Sequence, residues 1–284
     1  MGPFMDEQIC KTQRNGIKSD KIDASYNKKD PLQFLTRLTS IKEWVKTREI
    51  HKRLPCYFSE FPSSDELIIF FHANAEDITK VDPLCKQFRE HFKKSVLAME
   101  YSGYSFYQAS KTQPRIIKSD AEKLVEFVTL ALGIPLKKIT VIGRSIGSGP
   151  SLYLASKFQF KMVVIVSGLL SIRKVVKDRF GVLSLFVGKY FDNEKSVLEN
   201  KSPTLFIHGK NDEIILCKHS IKLQKTSKSF SRIILHEDMP HNKFSVLKSI
   251  CLPVLEFERE ISGKTQKSVS GSLKCVRIIF RNEI

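Results

Sequence analysis

Apolar residues collect in short, nearly continuous runs at Leu67–Phe71, Ser95–Met99, Ile139–Ile142, Met162–Val166, Thr204–Ile207 and Arg232–Leu235, with a further mixed run over residues 54–60. Runs of this length that do not alternate with polar residues predict strands buried on both faces. Helical stretches fit between most of them. Residues Asp120 to Leu132, for example, place Leu124, Phe127, Val128 and Ala131 on one stripe, stopped by Gly133 and Pro135. Buried strands alternating with amphipathic helices imply an α/β chain with a mainly parallel central sheet and helices on both faces.

The flanks follow other patterns. Residues 1–30 are polar and mixed in charge and read as a mobile N-terminal arm. Asp30-Pro31 has the form of an N-cap and first-turn proline, after which Phe34, Leu38, Ile41 and Val45 recur at helical spacing, with Leu35 and Trp44 widening the stripe. This basic amphipathic helix suits either a membrane surface or packing on the domain, and reads first as a core cover; the domain is expected over residues 31–260. Within it, residues 169–200 form a long connection with an apolar stretch from Phe180 to Phe191, a candidate lid. Leu183, Leu185, Phe186 and Val187 there suit either an acyl pocket, with Leu183 and Phe186 as the lining candidates, or ordinary packing under a connection. Residues 261–284 form a basic tail. Its first part, Ser262 to Ser272, has a flexible linker's composition, while Val276, Ile278, Ile279 and Phe280 suit an extra strand, a membrane contact or an unstructured end.

Composition narrows the class. At 284 residues and 42% hydrophobic content, the chain is long enough for one large α/β domain. The N-terminus lacks the order of a secretory signal, and no apolar run approaches the ~20 residues of a membrane span, so a cytosolic setting is expected. The cysteines Cys10, Cys56, Cys85, Cys217, Cys251 and Cys275 are scattered without a C-x-x-C pair, which predicts reduced thiols and no metal site. The net charge of +17 comes from lysines spread along the whole chain. It suits either a solvated basic surface or peripheral attraction to an anionic membrane, and without interleaved aromatics or a binding motif it disfavours nucleic acid.

Candidate chemistry centres on Gly143-Arg144-Ser145-Ile146-Gly147, where a β-branched run passes into a helix-like one. In such a G-x-S-x-G turn the serine sits on a sharp bend and the flanking glycines keep side chains clear of the tight backbone. Ser145 is therefore the candidate nucleophile, and the Ile146 backbone N–H a candidate oxyanion donor. A hydroxyl needs a base and an orienting carboxylate. Asp212 follows the Thr204–Ile207 run and His241 follows Arg232–Leu235, so each candidate sits on a loop beyond a strand. Asp238 and His236 are rivals, but Asp238 reads as a surface residue of the histidine loop and His236 abuts its strand too closely. His219 reads as a surface residue, Arg144 as solvent-facing or loop-bonding, and Tyr101 and Tyr104 as packing residues. The loop after Leu67–Phe71, His72-Ala73-Asn74-Ala75-Glu76-Asp77, is placed to supply a second oxyanion donor, assigned to the Asn74 N–H.

His72-Ala73-Asn74-Ala75, Tyr101-Ser102-Gly103-Tyr104, Gly143 to Pro150, His208 to Glu213 and His241-Asn242 resemble successive motifs of the α/β-hydrolases, most of all the α/β-hydrolase domain-containing protein 17 group. The resemblance spans roughly residues 48–258. It implies an α/β-hydrolase fold with a small lid and a cofactor-free serine hydrolase using Ser145, His241 and Asp212. It further implies acyl thioesters or esters as substrates, carried on an acylated protein, as in depalmitoylation, or on a lipid. Two positions depart from the group: Ala73 stands where it usually has glycine, and only Cys10 lies where the depalmitoylases carry a cysteine cluster. A non-catalytic binder of acyl chains or a membrane partner, and a small-molecule esterase, are the alternatives.

Overall fold

The structure is a computed structural model that describes residues 10–11, 54–74, 76–105, 107, 112–188 and 190–267. The expected arm, the amphipathic stripe from Phe34 to Val45 and the apolar cluster from Val276 to Phe280 lie outside the described residues, apart from Cys10–Lys11.

Every predicted strand forms. The strands are β1 (Cys10–Lys11), β2 (Cys56–Ser59), β3 (Leu67–Phe71), β4 (Ser95–Met99), β5 (Ile139–Arg144), β6 (Met162–Val166), β7 (Thr204–Gly209) and β8 (Ser231–His236). They make one sheet in the order β1-β2-β4-β3-β5-β6-β7-β8, parallel except where β2 meets β4. This is the α/β-hydrolase fold. All residues of β3 to β7 are buried, as their unbroken apolar runs require, whereas β8 is half-buried along its length.

Alternate side chains face opposite layers. Ile69, Phe71, Val141, Val163 and Ile165 pack on one face with Ile117 and Leu124 of α2 (Pro114–Glu126), Leu152 and Ala155 of α3 (Ser148–Lys157), Val197 of α5 (Asn193–Glu199) and Leu223 of α6 (Lys218–Thr226). On the other, Ile68, Phe70, Val96, Ile142 and Val164 meet Cys85, Phe88 and Phe92 of α1 (Asp82–Phe92) and Val254 and Phe257 of α7 (Leu252–Lys267). Helix α7 runs to Lys267, through the first half of the stretch whose composition suggests a linker, because Phe257 and its neighbours anchor the helix on the sheet. Cys85, Cys217 and Cys251 are free thiols, and burial pushes the Cys251 thiol up to about 12.

The strand order positions the site. The chain runs outward from β3 to β4, then returns to place β5 on the other side of β3, so the connections leaving β3 and β5 diverge and open a crevice at their carboxyl ends. The register puts Phe71 opposite Gly143, which brings the loop after β3 beside the turn after β5. At the next pair of strands, Gly209 ends β7 with no room for a side chain, since a Cβ there would lie 1.6 Å from the Met239 carbonyl oxygen. That contact presses the loop after β8 against the loop after β7. Gly209→Ala is expected to push the two apart and lower stability by about 1–3 kcal/mol, as an overpacking change does. Urea unfolding measures it, and an unchanged midpoint would contradict this account of the contact.

Candidate active site

Ser145 follows β5 directly and has φ 55°, in the left-handed region that an L-residue enters only under constraint. The constraint is visible on both sides. A Cβ on Gly147 would stand 2.1 Å from the Phe71 carbonyl oxygen, and one on Gly143 would stand 2.5 Å from the Gly147 carbonyl oxygen. Both glycines are needed for the turn to fold onto the end of β3. The Ser148 hydroxyl donates to the Ser145 carbonyl at 2.7 Å and the Ser151 hydroxyl to the Gly147 carbonyl at 2.8 Å, so side chains of α3 hold the bend. Ile146 lies in the single turn Ser145–Gly147 that leads into α3.

The sheet brings Ser145, His241 and Asp212 together. His241 Nε2 lies 3.1 Å from Ser145 Oγ, and His241 Nδ1 lies 2.8 Å from Asp212 Oδ2 and 3.1 Å from Oδ1. All three residues are buried. A proton on Nδ1 shared with the carboxylate leaves Nε2 free to accept from the serine hydroxyl, the tautomer a general base requires. The N–H groups of Ile214 and Ile215 donate to Asp212 Oδ1 at 2.9 and 2.8 Å, and His208 Nε2 lies 3.3 Å from Oδ2 while also donating to the Ile215 carbonyl. Burial by itself would raise the Asp212 pKa, but the bonds from His208, His241 and the Ile215 N–H outweigh it and hold the carboxyl well below the usual carboxylate range.

The rivals lie elsewhere. Asp238 is exposed, and His236 Nε2 bonds the Ser249 carbonyl at 3.0 Å. His219, expected at the surface, is buried instead: its Nδ1 accepts from the Leu170 N–H at 3.1 Å and its Nε2 lies 2.7 Å from Asp178. Asp178 belongs to α4 (Ile172–Phe180) in the 169–200 connection, which covers the ring. Arg144 is not solvent-facing; it is buried and bonds two loops.

On the loop after β3, Asn74 is exposed and its side-chain oxygen accepts from the Tyr104 hydroxyl at 2.5 Å. The Ala73 N–H is already bonded to Glu76 Oε2 at 2.9 Å. The loop stands on a buried base. His72 Nε2 lies 3.2 Å from Glu100, whose carboxylate also accepts from the N–H groups of Ile78 and Tyr101, and Tyr101 stacks on the His72 ring and donates its hydroxyl to the His72 carbonyl. Sequence reasoning missed Glu76, Glu100 and the support from His208. An acidic or histidine side chain beside a strand gives no local sign of its partner.

The 169–200 connection folds as α4, a short turn over Gly181–Phe186 and then α5. Leu183 is 57% and Phe186 91% exposed, so neither is core packing. Nor do they line the cavity of about 220 Å³ formed by Val175, Asp178, Arg179, Glu213, Ile214, Leu216 and His219. That cavity lies next to His241 through Glu213, which accepts from the His241 N–H at 3.1 Å. Among the described residues no group of three His, Cys, Asp or Glu side chains is arranged to hold a metal ion.

A family profile described as "Serine hydrolase (FSH1)" matches residues 136–241, a span that holds Ser145, Asp212 and His241. The "Alpha/beta hydrolase domain-containing protein aho-3" of Caenorhabditis elegans is 28% identical over 179 residues, 63% of this chain and 53% of that protein. This chain thus spans about half the length of that relative. The "Alpha/beta hydrolase domain-containing protein 17B" of Homo sapiens is 25% identical over 209 residues, covering 72% of this chain and 68% of that protein. An acetyl xylan esterase from Paenibacillus sp. R4 superposes with a TM-score of 0.57 at 14% identity, over 73% of this chain and 80% of that one, a likeness of fold alone.

The depressed Asp212 pKa has a definite sign in stability. A carboxyl whose folded pKa lies below its unfolded value of ~3.9 stabilises the fold above that value and loses this contribution as pH falls through the folded pKa. Asp212→Asn is therefore expected to be less stable than the native chain by roughly 1–3 kcal/mol at pH 7. The gap should hold down to about pH 5 and narrow below about pH 4. Urea midpoints of both proteins across this range check it; a gap that widens on acidification would contradict the assignment.

Proposed function

We propose that this serine hydrolase of the α/β-hydrolase fold cleaves acyl thioesters or esters through an acyl-enzyme on Ser145. The observation that carries the reading is the continuous bonding path from Ser145 Oγ through His241 to the buried Asp212 carboxylate, at 3.1 and 2.8 Å.

In this reading Ser145 Oγ attacks the acyl carbonyl carbon as its proton passes to His241 Nε2, and Asp212 stabilises the imidazolium that forms. The carbonyl oxygen gains the negative charge and is met by the backbone N–H groups of Ile146 and Asn74. Collapse of the tetrahedral intermediate breaks the bond to the leaving sulfur or oxygen, which takes the proton from Nε2. Water, deprotonated by the same imidazole, then attacks the acyl-serine; the bond to Oγ breaks, Nε2 returns the proton to Ser145, and the fatty acid leaves. Because Ala73 has committed its N–H to Glu76, the choice of Asn74 as the loop donor is supported. Ser145 meanwhile starts from its strained backbone conformation with no rearrangement of the turn required.

The proposed substrate is a long acyl chain on a protein cysteine or on a lipid. Support comes from the motif resemblance to the depalmitoylase group and from the surface of the insertion. Val182, Leu183, Leu185 and Phe186 stand exposed next to Arg173, Lys174, Lys177 and Arg179 of α4, apolar side chains beside an excess of basic ones. An anionic lipid surface matches both features, since apolar side chains enter the headgroup boundary while cations meet the phosphates. The proposed setting is cytosolic and peripheral at such a membrane.

Covalent labelling by a fluorophosphonate, with the adduct mapped by peptide mass, tests the nucleophile. Native protein should carry the adduct on Ser145 and Ser145→Ala should carry none. Ser145→Ala and His241→Ala should each lose about 10⁴-fold or more in turnover, and the double variant should be no worse than the singles, because the residues act as one unit. A well-folded native chain that never labels would instead favour a binding-only protein.

Acyl preference and lipid contact are tested separately. Turnover should rise from short- to long-chain acyl esters; a preference for short chains would favour a small-molecule esterase. Sedimentation with anionic vesicles should fall steeply between ~0.05 and 0.5 M salt and on Phe186→Ser. Equal binding to zwitterionic vesicles would remove the electrostatic part.

A further inference from the structure

The residue before the nucleophile has a role that the triad reading leaves unused. Arg144 is the last residue of β5, paired with Val166 of β6, so its backbone belongs to the centre of the sheet. Its side chain is only 6% exposed. One terminal nitrogen, Nη1, bonds the Glu76 carboxylate, whose other oxygen holds the Ala73 N–H of the loop after β3 at 2.9 Å. Nη2 donates to the His241 carbonyl at 2.8 Å and to Asn242 Oδ1 at 2.9 Å, and the guanidinium lies 5.5 Å from the centre of the Phe244 ring.

We propose that Arg144 is a positioning residue that fastens the histidine loop and the oxyanion loop to the nucleophile turn, so that base and oxyanion donors converge on Ser145. The inference rests on the reading of Ser145 and His241 as the reacting pair. The chemistry favours it over a purely structural ion pair in three respects. A guanidinium carries its donors on separate nitrogens in a rigid planar fork, so Nη1 and Nη2 can each hold a different loop, whereas an ammonium must gather its acceptors around one nitrogen. The bond to the His241 carbonyl acts on the very peptide that carries the imidazole, and it anchors that peptide to the strand that carries the serine. Finally, a buried ion pair is weak evidence for stability, and here Arg144 Nε is buried with no partner among the described residues, so the arrangement is not the one that best stabilises the core.

The test uses the full chain and a chromogenic acyl ester as probe, with kcat, KM, melting temperature and the rate of fluorophosphonate labelling measured for Arg144→Gln, Arg144→Lys, Glu76→Gln and the Arg144→Gln/Glu76→Gln double variant. Arg144→Gln should lower kcat about 10- to 100-fold, the scale of an ångström-sized misplacement of a reacting group, with KM little changed and the labelling rate falling in step. Arg144→Lys should restore only part of this, because it keeps the Glu76 pair and loses the second arm of the fork. The double variant should be no slower than Arg144→Gln, since both changes break one bridge. Native kcat in folded Arg144→Gln, or a loss carried by KM, overturns the proposal. If Arg144→Gln does not fold, native kcat in folded Arg144→Lys and Glu76→Gln overturns it equally. Failure of the native chain to label at Ser145 overturns the triad reading and this proposal with it. A native chain that labels no faster than Arg144→Gln overturns only the proposal.

Discussion

The backbone of Ser145 is the constraint on which the rest of this site depends. A φ of 55° raises a side chain out of the sheet only if the chain turns abruptly, and the turn closes only because Gly147 touches the Phe71 carbonyl and Gly143 leaves room behind it. Strain at one residue costs about 1–3 kcal/mol and persists where the surroundings over-determine it. Here they do: β5 is paired on both edges, α3 begins within the turn, and serine hydroxyls of that helix hold the carbonyls of the bend. The strain and the rigidity that contains it arise from the same contacts.

Around that fixed point lie polar groups that an apolar core would exclude. Asp212 is buried with bonds from two histidines and two backbone N–H groups, and Glu100 is buried with His72 and two more. Burying a carboxylate is tolerable only when its lone pairs are met, and in both cases they are met from separate elements. Each buried carboxylate thereby ties a loop of the candidate site to a neighbouring strand or helix. Loops that would otherwise move independently are held to the dimensions of the sheet.

The 169–200 connection does the opposite on its two sides. Asn193 donates to the Leu169 carbonyl and to Ser148, and Asp178 meets the buried His219 ring and Lys218, so the inner side is fastened to α3 and α6. The outer side presents Leu183, Leu185 and Phe186 to solvent. Large apolar side chains clustered on a surface with basic neighbours are poorly suited to water alone, in keeping with a chain whose lysines give it an excess of 17 positive charges.

By itself the sequence determined the fold class and the candidates for nucleophile, base and acid. Short apolar runs bounded by turn signals read as strands, and Ser145, Asp212 and His241 each follow such a run, so local pattern was enough to place them at strand ends. Tertiary structure alone decided what those residues lean on. Arg144 and Glu76 are 68 positions apart, and His219 and Asp178 are 41 apart; neither pair has a periodicity that announces it. Hydrophobic periodicity reports which face of an element turns inward, not which loops the strand order brings side by side. Leu183 and Phe186 show the same limit from the apolar side. In an irregular connection, burial depends on whether another element covers the residue, and here none of the described residues does so.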